Sequence, residues 1–389
     1  MLIRSITYSS QSSFFLLGPR GTGKSTWVKQ QFPGAAYIDL LKDSTFSELA
    51  AHPDRLLSLA LGAADQWVVI DEVQKLPLLL DEVHRRIENE GRRFVLTSSS
   101  ARKLKRSGAN LLAGRARTLA MHPLTAVELG TRFDLRHSLL YGHLPTVYFA
   151  DDPAHYIKSY VGTYLKEEVQ QEALVRNIGI FAKFLEAASF SQASVLNIQN
   201  VANDCGLSRK TAENHFHLLE DLLLAVRLPV FQRRAKRKMA QHCKFYFFDA
   251  GVYRGLRPRG PLDPIEEIDG AAIETLVMQE LRATNDNLNC GYQIGYWRTQ
   301  DQREVDFILY GENGLLAIEV KRSSRWGQDD LKHLRAFLGD YPEASGYLFY
   351  GGDQEYHVDG IRVIPLSKAL KQLPQLLTGT YDARIPPPQ

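Results

Sequence analysis

The chain has 389 residues, enough for two or three domains, and its 44% hydrophobic and 23% charged content is that of an ordinary globular protein. A net charge of +3 is too small to name a nucleic-acid or membrane partner, so only local clusters of charge can do that. Cys205, Cys243 and Cys290 lie far apart and form no CxxC pair, which argues against a disulfide framework or a cysteine metal site and suits a reducing cytoplasm. The first residues carry a single early arginine and an apolar run too short for a signal peptide. No run approaches the roughly 18 apolar residues of a membrane span. A cytoplasmic protein with no membrane partner is the expectation.

Phe14 to Leu17 reads as a short buried strand. It runs into Gly18-Pro19-Arg20-Gly21-Thr22-Gly23-Lys24-Ser25, which fits G-x-x-x-x-G-K-[ST]. Small residues let consecutive backbone N–H groups turn toward one anion, and a helix starting near Lys24 adds the positive end of its dipole. Gly18, Gly21, Thr22, Gly23, Lys24, Ser25 and Thr26 are therefore the candidates for binding ATP. Lys24 should reach the β- and γ-phosphates, and Ser25 should ligate Mg²⁺. Pro33-Gly34 ends the helix. Ala35 to Leu40 reads as a strand and Phe46 to Leu61 as a helix. Trp67 to Ile70 is an apolar run that ends in Asp71 and Glu72. Asp71 can hold the Mg²⁺ shell opposite Ser25, and Glu72 can polarise the attacking water.

Gln74 to Glu88 reads as a helix and Arg93 to Thr97 as a strand. The polar run Thr97-Ser98-Ser99-Ser100, Thr97 first among them, offers a hydroxyl to touch the γ-phosphate or the water; a turn of small residues capping the next helix is the plain alternative. Arg115 precedes a last strand at Thr118 to Met121. It could reach a neighbouring subunit's γ-phosphate, or it could simply be a solvated loop arginine. Alternating strands and helices argue a parallel, doubly covered sheet over residues 1–130. The order of these parts resembles AAA-type ATPases. That resemblance implies sheet order 5-1-4-3-2 and assembly into a homo-oligomeric ring such as a hexamer.

Residues 131–190 read as a helical connector, with helices at Tyr156 to Glu172 and Phe181 to Ala188. Within 191–257, a helix ends at Cys205-Gly206, Leu207 plugs a turn, and Ser208 caps a second helix through Leu219. This is a helix-turn-helix pattern, with strands at Leu228 to Phe231 and Lys244 to Phe248 as a wing. Arg209, Lys210 and Asn214 would face a DNA major groove. Arg233, Arg234, Lys236, Arg237 and Lys238 form a basic run suited to phosphates. Glu213, Glu220 and Asp221 on the second helix oppose insertion into a groove, and winged helices also serve as protein-packing modules.

Residues 258–382 form the last predicted domain, and 383–389 a disordered tail. A helix from Asp269 to Leu281 carries Glu274. The strands Glu304 to Tyr310 and Leu315 to Lys321 flank a four-residue turn and suit a hairpin. If Tyr310 pairs with Leu315, Asp306 stands opposite Glu319 and Glu304 opposite Lys321. Val305, Phe307 and Leu309 then share a dry face with Leu316, Ile318 and Val320. Opposed carboxylates repel, so a cation between them is expected, with Lys321 beside the water and Glu274 as a further acid. Asp306, Glu319-x-Lys321 and a helical glutamate resemble the PD-(D/E)xK nuclease superfamily, although Val305 stands where a proline is usual. A surface pair of Glu304 with Lys321 and plain solvated acids is the alternative. Helix Lys332 to Leu338 and strands Ser345 to Tyr350 and Ile361 to Pro365 complete the domain.

With PLTAVEL, GHLPTVY and FYFFDAGVYRGL added, the whole chain is similar to bacterial and archaeal AAA-type ATPases with a C-terminal domain of unknown function. Three functions stay open. One is an ATPase that remodels or translocates DNA. The second is an ATP-gated switch or scaffold that binds a protein partner, and the third an active metal-dependent nuclease.

Overall fold

The computed structural model describes residues 2–60, 67–100, 102, 114–164, 177–232 and 243–379. The basic run from Arg233 to Lys238, the end of the helix expected at Tyr156 to Glu172, and the tail at 383–389 lie outside the described residues. The chain divides into two compact units. One comprises Arg4–His122 with Asp221–Leu224, the other Met1–Ile3, Pro123–Glu220 and Ala225–Gln389. Among the described residues, no helix is long and apolar enough to cross a membrane.

The first unit is a five-stranded parallel sheet. Its strands are β1 (Ser13–Leu17), β2 (Ala36–Asp39), β3 (Trp67–Asp71), β4 (Arg93–Ser98) and β5 (Ala116–Ala120), in the order β2-β3-β4-β1-β5. This is the expected order 5-1-4-3-2, read from the other edge. Strand alternation sends neighbouring residues to opposite faces. Phe14, Leu16, Trp67, Val69 and Val95 enter one core, with Trp27 and Val28 of helix α1 (Lys24–Gln31). Phe15, Val68, Ile70, Phe94 and Leu96 enter the other, with Leu79, Leu80 and Val83 of a later helix, Leu79–Glu90. Burial on both faces is what makes these strands continuous apolar runs. Each such side chain contributes roughly 1.5–3 kcal/mol.

Two helices are shorter than the periodicity suggests, and proline is the cause each time. The helix expected over Phe46 to Leu61 is Asp43–Ala51 followed by a tight helical stretch at Pro53–Ala60. The one expected from Gln74 is a single tight turn, Val73–Lys75, and then Leu79–Glu90 beyond Pro77. A proline removes an N–H and clashes with the preceding turn.

The second unit holds a six-stranded sheet and a three-stranded sheet. The small sheet has order β6-β8-β7, from β6 (Ser194–Val195), β7 (Ala225–Leu228) and β8 (Lys244–Phe247). Next to it, helix Ile198–Cys205 stops at Gly206, and Ser208 Oγ accepts from Thr211 N–H at 3.1 Å to start helix Arg209–Asp221. The large sheet has order β13-β14-β12-β11-β10-β9. Its strands are β9 (Gln293–Arg298), β10 (Glu304–Gly311), β11 (Gly314–Lys321), β12 (Ser345–Tyr350), β13 (Tyr356–Val358) and β14 (Ile361–Pro365). Helices Ile265–Asn287 and Leu366–Thr378 pack on one face and Lys332–Asp340 on the other. The chain after β7 joins the two sheets: Phe231 N–H donates to Tyr296 O at 2.6 Å, and Tyr296 N–H to Pro229 O at 3.0 Å.

Tyr310 does pair with Leu315, and Phe307 with Ile318. The shared dry face is only partly as expected, because a bulge shifts the β9–β10 register between Val305 and Ile308. Phe307 and Leu309 join Leu316 and Ile318, whereas Val305 lies with Ile308 in the opposite core. An extra residue in one strand breaks the two-residue alternation and turns the side chains beyond it to the other face.

The stretches PLTAVEL, GHLPTVY and FYFFDAGVYRGL meet at one buried polar node. His143 Nε2 lies 2.8 Å from Ser138 Oγ, and Nδ1 lies 2.6 Å from Leu124 O and 3.3 Å from Glu280 Oε1. His143 N–H donates to Asp249 Oδ2 at 2.7 Å, and Ala126 N–H to Glu280 Oε1 at 2.7 Å. Burial holds the carboxyls of Asp249 and Glu280 above the usual range. These motifs build the interior of the second unit, where every removed partner would leave a buried group unsatisfied.

Candidate functional site

The loop between β1 and α1 has the backbone an anion cradle needs. Gly21 and Gly23 sit at φ 87° and 92°, in the left-handed region open to glycine. A Cβ on Gly18 would meet Met121 O at 2.3 Å, so no side chain fits there. Thr22 Oγ1 donates to Pro19 O at 2.8 Å, and Lys24 Nζ to Gly18 O at 2.7 Å and Pro19 O at 3.2 Å. Lys24 is buried against its own loop, Ser25 is half-buried and Thr26 exposed at the helix start. Arg4 braces the loop from behind, donating to Thr22 O at 2.9 Å and to His122 O at 2.6 Å.

Across the sheet end, the β3 carboxylates are held by neutral donors. Thr97 Oγ1 donates to Asp71 Oδ1, and Tyr37 OH donates to Asp71 Oδ2. Burial, then the Asp71 carboxylate, pushes the Tyr37 phenol well above its usual range, so it stays a donor. Thr97 Oγ1 also accepts Glu72 N–H at 3.0 Å, so one hydroxyl positions both acids. Glu72 has φ 61°, a left-handed backbone that few residues other than glycine adopt. Gln74 Nε2 and Ser99 Oγ, 3.2 Å away for the latter, both donate to Glu72 Oε2. The donor set around Asp71 and Ser25 is all oxygen, which fits Mg²⁺. Arg115, weighed as a finger for a neighbouring subunit's γ-phosphate or as a solvated loop arginine, pairs with Glu88 of its own chain. Ser99 belongs to the polar run Thr97-Ser98-Ser99-Ser100 that the sequence offers, whereas Tyr37, Gln74 and Arg4 are further candidate site residues that no motif announces.

The second acidic cluster lies in the other unit. Glu274 on helix Ile265–Asn287 and Glu304 and Asp306 on β10 converge, but the cation among them is Lys244 of β8. Its Nζ lies 2.6 Å from Glu304 Oε1, 3.1 Å from Asp306 Oδ1 and 3.4 Å from Glu274 Oε2. Burial opposes charge on Lys244, yet Asp306, Glu274 and Glu304 outweigh it and hold the ammonium protonated above its usual range. Tyr246, two residues along β8 and so on the same side, donates to Glu274 Oε2 at 3.1 Å. Burial and Asp306 together raise the Glu274 carboxyl to about 8 and lift Glu319 well above the ordinary carboxylate range. Glu319 Oε2 is buried with no hydrogen-bond partner among the described residues.

Lys321 does not reach these acids. Its Nζ pairs with Asp330, which the tight turn after β11 brings beside it. Nor does Glu304 pair with Lys321, since its second oxygen is 3.2 Å from Arg298 Nη1. Arg209, Lys210 and Asn214 are all exposed on the first two turns of their helix.

A glycine-rich loop leading from a parallel strand into a helix, facing paired acids at the next-but-one strand, defines a P-loop nucleotide-binding domain. Residues 10–130 match the family described as AAA domain. Residues 132–263 and 269–369 match two families described as domains of unknown function, DUF8612 and DUF4143. The chain thus carries an AAA-type P-loop domain followed by a DUF4143 domain. An uncharacterized protein of Mycobacterium tuberculosis is 24% identical over 381 residues, 94% of this chain and 81% of its own. One of Methanocaldococcus jannaschii is 23% identical over 291 residues, 67% of this chain and 62% of its own. A solved structure of the Aeropyrum pernix ORC2 protein in its ADP form covers 69% of this chain and 88% of that one, at 11% identity and TM-score 0.28.

Proposed function

We propose that this protein is a Mg²⁺-dependent ATPase whose nucleotide cycle remodels or moves DNA held by its second unit. The observation that carries the ATPase reading is the pairing of the Gly18–Ser25 loop with an Asp71–Glu72 pair already oriented by Thr97. Loop N–H groups and the α1 N-terminus cradle the phosphates of ATP, and Lys24 swings from its loop carbonyls to the β- and γ-phosphates. Ser25 and Asp71 would hold Mg²⁺, which would supply neutralising charge for the phosphates. Glu72, steered by Gln74 and Ser99, accepts a proton from the attacking water. The water oxygen bonds to the γ-phosphorus as the bond to the β-phosphate oxygen breaks, and ADP leaves with that electron pair. Phosphate release with and without Lys24→Ala tests this; absence of any Mg-dependent nucleotide binding rejects it.

The DNA role is supported by the exposed Arg209, Lys210 and Asn214, in a helix-turn-helix segment read as a winged helix, and by the basic run from Arg233 to Lys238. Duplex affinity that falls steeply with salt, and hydrolysis that rises with DNA, are its expected signatures. A ring oligomer would use Arg115 as a finger only after it leaves Glu88, so oligomer mass with ATP, and its change in Arg115→Ala, tests that part. The switch or scaffold reading is favoured by one observation: Lys244, beside the nuclease-like acids, and Lys321, on the strand of Glu319, both have acidic partners that occupy them. Slow hydrolysis, with assembly set by ATP and no DNA affinity at low salt, would select it. Metal-dependent DNA cutting lost in Asp306→Ala would select the nuclease reading instead.

A further inference from the structure

The acids of the second unit invite a divalent cation, but their geometry does not fit one. An ammonium has three N–H donors and no acceptor. Lys244 meets acids from three residues on two elements, at 2.6, 3.1 and 3.4 Å. Mg²⁺ on those same oxygens would need them at about 2.0–2.1 Å, beside a fixed positive charge in a poorly solvated place. The second oxygens of Asp306 and Glu304 are also engaged. Asp306 Oδ2 accepts Val320 N–H at 3.0 Å, and Glu304 Oε2 lies 3.2 Å from Arg298. Among the described residues, no group of three or more His, Cys, Asp or Glu side chains is arranged to hold a metal.

Lys244 is not a surface arm that happened to fold inward. It is the first residue of β8, paired with Val195 on one side and Leu228 on the other. Its side chain is 2% exposed, and its Nζ lies 5.6 Å from the centre of the Tyr296 ring. Both neighbouring strands therefore fix where the ammonium sits, and Tyr246 anchors the same strand to Glu274.

We propose that Lys244 is the built-in cation of this centre, and that the nuclease-like acids serve to seat β8 on the large sheet instead of binding a divalent metal. The centre is an acid–lysine lock between the two sheets of the second unit.

The test uses the full chain without nucleotide. Mn²⁺ binding is followed by electron paramagnetic resonance for the wild type, Asp306→Asn and Glu274→Gln, and thermal melting compares the wild type with Lys244→Met. The expected result is the same Mn²⁺ uptake in all three proteins, and a Lys244→Met melting point lower by about 10 °C, because a buried charge cluster loses its counter-ion. A wild-type Mn²⁺ site that either acid variant lacks overturns the proposal. So does a Lys244→Met protein that melts within about 1 °C of the wild type. The Mn²⁺ comparison on the wild type and Glu274→Gln stands even where Lys244→Met or Asp306→Asn fails to fold.

Discussion

The two acidic sites of this chain use the same residue types to opposite ends. At β3, Asp71 and Glu72 are held by uncharged groups: Tyr37, Thr97, Gln74 and Ser99. At β10, Glu304 and Asp306 are held by charged ones, Lys244 and Arg298. Hydroxyl and amide donors orient a carboxylate but leave its charge uncancelled. An ammonium at hydrogen-bond distance orients it and cancels it at once. The groups that hold an acid, more than the acid itself, separate a site for chemistry from a site for cohesion.

Substitutions can break or sharpen this contrast. The largest effect is expected from Lys24→Ala, which should lower ATP hydrolysis by ~1000-fold, since a charge aimed at the transferring phosphoryl group is lost. Lys244→Met should leave catalysis at the first unit alone and destabilise the second by about 3 kcal/mol in urea unfolding. Equal losses in both units would erase the distinction. Glu72→Gln should keep nucleotide affinity and slow turnover by ~100-fold, measured as phosphate release under saturating ATP. Ser99→Ala removes one of two donors to Glu72 and should cost turnover only about tenfold, near 1.4 kcal/mol.

A further effect is read against pH. Burial and Asp306 lift Glu274 from 4.5 to about 8 despite Lys244. The folded form keeps a proton that the unfolded form gives up. Its contribution to stability is full below pH 4.5 and fades as pH rises through about 8. Glu274→Gln should flatten that slope, of at most about 1.4 kcal/mol per pH unit, in urea midpoints measured from pH 5 to 8.

The nucleotide loop was legible because its function is local. Eight consecutive residues, Gly18 to Ser25, carry both the backbone turn and the charge. Asp71 and Glu72 were legible because an apolar run ends at them, and the strand order came from the order of parts. The lock was not legible. Lys244 precedes Asp306 by 62 residues, and no spacing rule joins them. Lys321 stood nearer in sequence, and the turn carrying Asp330 drew it away. The bulge beside Asp306 defeated the simple alternation that assigned Val305 its face. Tyr37 escaped for the same reason, reaching Asp71 from a separate strand, while Gln74, only two residues from Glu72, escaped because no motif marks it.

Glu72 carries one more implication, through its φ of 61°. A non-glycine residue held there costs on the order of 1 kcal/mol. Glycine at position 72 would relieve that cost and leave the protein hardier on heating. Directed evolution for heat tolerance alone should therefore drift toward glycine at this position and yield sturdier, idle proteins. Only selection that demands turnover would keep the glutamate.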